Sequence, residues 1–207
     1  MLKQIAVELV HHAPFTALGA GSGIAIMALI ILLNALPQLS AVSYNLFYVL
    51  HPLHVALSAI VITAMYKKHS KGKIWATILV GYIGSVGLAT LSDSVFPYAG
   101  EVLLRLPHAE AHIGFIEEWL IVNPAAFLGI AIGYWKSITK LPHSGHVLVS
   151  TWASLFHIVM ALGSTVDIPA LFLIFLLLFI SVWIPCCFSD IAFPVFLTGG
   201  SLPEHKR

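Results

Sequence analysis

Residues 170–197 read ALFLIFLLLFISVWIPCCFSDIAFPVFL, with Asp190 as the one charged side chain. About 20 apolar residues carry an α-helix across the hydrocarbon core of a bilayer. This stretch meets that length, and no soluble core helix needs so long an unbroken apolar run. Five further stretches read the same way: Ala13–Leu36, Phe47–Tyr66, Ile74–Tyr98, Phe115–Trp135 and Val147–Gly163. The expected fold class is therefore an all-α integral membrane protein of six transmembrane helices, forming one transmembrane domain over residues 1–207.

Composition supports this. Of 207 residues, 59 % are hydrophobic and 9 % charged, where a soluble domain carries about 25 % charged residues. Mean hydropathy is +0.95. A soluble fold this apolar could not cover its surface with polar groups. Ten basic residues and a net charge of +1 do not make a nucleic-acid groove, so no nucleic-acid partner is expected. The two cysteines, Cys186 and Cys187, are adjacent and make no disulfide framework. Hydrophobic residues near the N-terminus run on too long for a signal peptide, so the first stretch reads as a retained helix.

Breaks between stretches fall at 37–40, 67–73 and 140–145. Nine of the ten basic residues (Lys3, Lys67, Lys68, Lys71, Lys73, Lys136, Lys140, Lys206 and Arg207) lie on one side of a six-helix arrangement, and Arg105 on the other. The positive-inside rule makes the rich side cytoplasmic. Both termini are then expected in the cytoplasm, and residues 101–112 outside.

An internal repeat is visible. Ser92-Asp93-Ser94-Val95-Phe96-Pro97 recurs as Ser189-Asp190-Ile191-Ala192-Phe193-Pro194, an offset of 97. Glu8, Pro14, Leu18, Gly19 and Gly23 match Glu118, Pro124, Leu128, Gly129 and Gly133 at an offset of 110, and His54 is set against His157 at 103. Three helices duplicated in series must face opposite ways, so the halves, approximately 1–100 and 108–200, form expected inverted repeats. Transporters of this design hold their sites at the repeat interface.

Ionisable groups at membrane depth are expensive and mark functional positions. His51, His54, Asp93, His112 and Glu118 fall toward the outside. His12 and Asp190 fall toward the cytoplasm, and His157 lies deep in the fifth stretch. His51 and His54 are three apart and share a helix face. Asp93 and Asp190 stand four residues before a proline, whose ring frees the carbonyl at that position. Asp93, His54 and Glu118 are expected to approach one another from three helices. Imidazole and carboxylate together suit a divalent transition metal, with Zn, Mn, Fe, Ni and Cu not distinguished. His108, His143 and His146 read as interfacial histidines, and Cys186 and Cys187 as small apolar residues.

These features point to a transporter or permease for a divalent transition-metal ion. Its expected partners are the bilayer, the metal and coupled protons; self-association is left open. Two alternatives stand beside it: a membrane metalloenzyme with a His/Asp-held metal, and a b-type haem electron-transfer protein using His54 and His157. No His-Glu-x-x-His or nucleophile-elbow motif favours the enzyme.

Overall fold

The computed structural model describes residues 2–70, 73–136, 140–162 and 168–188, with Phe193 and Leu197; the side chains of 2–8, 11–12, 140–144 and 187 are outside that description. All regular structure among the described residues is helical. We name the helices α1 (Leu2–Leu32), α2 (Leu36–His69), α3 (Ile74–Leu103), α4 (Gly114–Glu117), α5 (Trp119–Trp135), α6 (Lys140–Ala161) and α7 (Ile168–Cys187). Among the described residues, four segments are long and apolar enough to cross a membrane: Ala13–Leu32, Leu36–His69, Ile74–Leu103 and Ile168–Cys186. Trp119–Trp135 and Gly145–Ala161 are shorter apolar helices.

Helix starts differ from the sequence expectation in two informative places. Residues 37–40, expected as a loop, begin α2 instead. The chain reverses at Asn34, which takes a left-handed φ of 54°, a conformation that asparagine tolerates. Pro37 then sits in the first helical turn, where its missing N–H costs nothing. Residues 140–145, also expected as a loop, belong to α6. Both helices therefore start well before their hydrophobic runs, which moves their histidines away from the helix ends.

α2 is the central helix. It packs most extensively against α5 and α6, while α1 packs against α6 and α7. The α2–α5 seam is close because α5 presents glycines. A Cβ on Gly133 would meet the backbone of Ile60, with its carbonyl oxygen at 2.5 Å, and one on Gly129 would strike the Ala56 carbonyl. Small residues let helix backbones approach in this way. Lys67, in the last turn of α2, donates to the Tyr134 carbonyl at 2.5 Å and lies over its ring, tying the two helix ends together.

The surface is apolar and much of the interior is polar. Leu32, Leu103, Trp135 and Ile168 are each about 80 % exposed, while His51, His54, Asp93, Glu101, His146 and His157 are buried. Lipid-facing helices sort their residues this way, because lipid places no premium on hiding apolar groups. Two apolar layers flank the polar seam. One joins Met27, Leu155, Ile158, Ile174 and Leu178 of α1, α6 and α7, and the other joins Val55, Val86, Ala89, Val122 and Ala126 of α2, α3 and α5.

α3 is not a uniform α-helix. π-helical turns occupy Ile83–Gly87 and Leu91–Val95. In the second, the Phe96 N–H bonds to the Leu91 carbonyl five residues back. Pro97 accounts for the widening: it has no N–H for the Asp93 carbonyl, and its ring would crowd that oxygen in an α turn. The wider turn lets three consecutive residues, Ser92, Asp93 and Ser94, all be buried. Such turns are frequent at functional sites.

Candidate metal centre

Asp93 is the hub of the polar seam. Its Oδ2 accepts from His51 Nδ1 at 2.9 Å and from His54 Nδ1 at 2.7 Å. Its Oδ1 accepts from Ser92 Oγ and from Ser150 Oγ, each at 2.7 Å. Four donors converge on a carboxylate with 0 % exposure, which is how a buried charge is made tolerable. The π turn of α3, the i/i+3 face of α2 and Ser150 of α6 supply these donors. Ser154 adds a bond to the Ser92 carbonyl at 3.0 Å, fastening α6 to the widened turn.

This arrangement fixes the imidazoles. A carboxylate only accepts, so both Nδ1 atoms carry a proton, and in the neutral form of either ring the lone pair sits on Nε2. His54 Nε2 lies 3.9 Å from Cys186 Sγ of α7. The His54 ring also stacks on the His146 ring of α6, with centroids 5.6 Å apart and planes 9° apart. One ligand atom from each of His54, His146 and Cys186 lies within 4.8 Å of the others, and all three residues are buried. A carboxylate behind a histidine whose far nitrogen faces other donors is the orienting arrangement found around metal-bound histidines.

The sequence-derived residues divide as follows. His51, His54 and Asp93 come together, as their types and spacing implied. Glu118 does not join them. The helix breaks at this residue, at φ −120° and ψ 46°, and it makes no side-chain hydrogen bond among the described residues. Its neighbour Glu117 is engaged instead, accepting from the Ile113 N–H at 2.8 Å and from the Tyr48 hydroxyl. His112 Nδ1 faces Glu117 Oε2 at 3.2 Å. His157 Nδ1 pairs with Glu101 Oε1 at 2.7 Å, forming a second buried group. The side chain of His12 and the whole of Asp190 lie outside the described residues.

In the sequence His146 reads as an interfacial histidine and Cys186 as a small apolar residue, neither as a partner of His54. The longer helices correct this: His54 lies near the middle of Leu36–His69, and His146 lies a turn and a half inside α6. Glu101 was likewise expected in an exterior loop. It occupies the last turn of α3, eight residues from Asp93 and so on the same face. That i, i+8 spacing was the available signal. No protein-family model, curated protein or solved structure matches the chain, so its function is read from this geometry.

Proposed function

We propose that the chain is a membrane permease for a divalent transition-metal ion, held as cargo by His54, His146 and Cys186. The carrying observation is the convergence of these three buried donors in front of an Asp93-oriented imidazole. Thiolate and imidazole favour Zn-type, Ni-type or Cu-type ions over Mn. Charge supports a divalent ion: with neutral imidazoles, the Asp93 carboxylate and a Cys186 thiolate together balance a 2+ charge. Binding would then release the thiol proton, a natural means of coupling to protons.

We place this site in six membrane-spanning helices built as two inverted repeats, with both termini cytoplasmic. The apolar helices Trp119–Trp135 and Gly145–Ala161 complete the six. Packing supports the duplication. Cβ atoms on Gly19 and Gly23 of α1 would meet Thr151 and Leu155 of α6, as those on Gly129 and Gly133 of α5 would meet Ala56 and Ile60 of α2. The glycines that repeat at an offset of 110 thus face equivalent central helices. The enzyme alternative ranks lower, because all three donors are buried rather than open to a substrate. The haem alternative ranks lower too, since His54 and His157 each bind a separate carboxylate.

In this reading Asp93 and Asp190 serve the ion from opposite sides of the membrane. Asp93→Asn and Asp190→Asn should each abolish zinc flux into vesicles holding the reconstituted protein, with the folded protein still extractable. One severe and one mild effect would favour the enzyme. Full flux in both variants would remove the transport reading.

A further inference from the structure

Lysines that end the apolar runs gather at one end of the bundle. Lys67 lies in the last turn of α2, Lys73 precedes the first turn of α3, and Lys136 caps the C-terminus of α5. Packing brings these three ends together. A Cβ on Gly81 of α3 would meet both Thr63 of α2 and Ile130 of α5, so the helices touch within about two turns of the lysines. Ala76 packs against the cluster of Ile62, Tyr66 and Val80, which holds the start of α3 beside the end of α2. Lys67 reaches across to α5, donating to the Tyr134 carbonyl and lying 4.1 Å from the centre of its ring.

Four cations meet there. Lys67, Lys68, Lys73 and Lys136 are all exposed, and none pairs with a carboxylate among the described residues. An anion placed among them relieves their mutual repulsion. Lys67 keeps two N–H donors for such a ligand, since only one is spent on Tyr134. Two tryptophans mark the level of the patch. Trp75 and Trp135, 61 % and 79 % exposed, stand at the ends of the apolar helices Ile74–Leu103 and Trp119–Trp135. Exposed indoles in such positions settle at the headgroup level of a bilayer, and lysines just beyond them lie among the lipid phosphates.

We propose that the joined ends of α2, α3 and α5 bind the headgroup of an anionic phospholipid, with its phosphate among the four lysines and its acyl chains beside Trp75 and Trp135. This site is independent of the metal reading. A bilayer lipid fits it better than a soluble phosphate, because the cations border an apolar surface that acyl chains can cover. Ile78 and Leu79 continue that exposed surface below Trp75. Each lysine at a charged lipid surface adds about fivefold to affinity.

The test titrates the purified full-length protein, in a neutral detergent, with phosphatidylglycerol, phosphatidylcholine or glycerol phosphate, and counts bound molecules by native mass spectrometry. Phosphatidylglycerol should be retained, and the other two should bind far more weakly. Changing Lys68, Lys73 and Lys136 together to Gln should weaken phosphatidylglycerol binding on the order of a hundredfold. Lys67 stays in place because it ties α2 to α5. Arg105→Gln, exposed past the other end of α3, should change nothing. The unfolding temperature is the folding control, and if the triple variant unfolds, each single substitution should cost about fivefold instead. Equal retention of phosphatidylglycerol and phosphatidylcholine, or unchanged affinity in the lysine variants, overturns the site. So does an equal loss in Arg105→Gln, which would make the attraction a matter of net charge alone. Glycerol phosphate bound as tightly as phosphatidylglycerol would overturn the lipid assignment in favour of a soluble phosphate.

Discussion

Asp93→Asn is expected to weaken zinc binding by about tenfold to a hundredfold while leaving the protein folded, the usual effect of removing a carboxylate behind a ligating histidine. The asparagine oxygen can take the place of Oδ2 before His51 and His54, and its amide can donate to the Ser92 and Ser150 hydroxyls. Geometry therefore survives and charge does not. Asp93→Ala goes further, because it strands the Nδ1–H donors of His51 and His54 together, while Ser92 and Ser150 keep the Ala89 carbonyl and Ser92 Oγ as acceptors. At about 1–3 kcal/mol for each unsatisfied group, the loss is on the order of 2 kcal/mol or more, even if water fills part of the gap. Equilibrium zinc titration and thermal unfolding in detergent should separate the two variants. Equal zinc affinity in wild type and Asp93→Asn would mean that the carboxylate does not act through His54.

Gly133→Val should produce a large loss of stability from a substitution outside the polar seam. Its Cβ would meet the Ile60 backbone, including the carbonyl oxygen at 2.5 Å, and backbone cannot rotate aside as a side chain can. Forced overpacking costs about 1–3 kcal/mol, and occasionally more. Here it also pushes α5 from the central helix that carries His51 and His54. Gly21→Ala is the matched control, since a Cβ there meets nothing within 4 Å, and alanine favours a helix over glycine. A falling unfolding temperature for the first and an unchanged or rising one for the second is the expected pair of results. No fall in Gly133→Val would mean that the α2–α5 seam is not tight.

The contrast between these positions shows what a sequence reveals about such a protein. Long apolar runs made the helical membrane class plain, and the Gly19/Gly23 and Gly129/Gly133 pairs were visible as matching positions, though not the close helix contacts they make. His51, His54 and Asp93 stood out because ionisable groups are rare in apolar runs and three residues of spacing share a helix face. His146 and Cys186 did not stand out as their partners. Depth was judged from the edges of hydrophobic runs, while polar first turns around Ser40, Ser43 and Asn45 extend α2 well beyond its run. A cysteine among apolar residues also resembles packing material. Glu101 was hidden by α3 continuing past Tyr98. Pro97 announced a break, but not that the break is a π turn burying Ser92, Asp93 and Ser94 together. Register through a π turn departs from the 3.6-residue period on which sequence reading depends.

X-ray absorption at the zinc edge of the zinc-loaded, full-length protein tests the central claim most directly. The account predicts one sulfur neighbour at about 2.3 Å with imidazole nitrogens at about 2.0–2.1 Å, and loss of that sulfur in Cys186→Ser. A first shell of nitrogen and oxygen alone, or no zinc retained above the level of the His54→Ala protein, would contradict it.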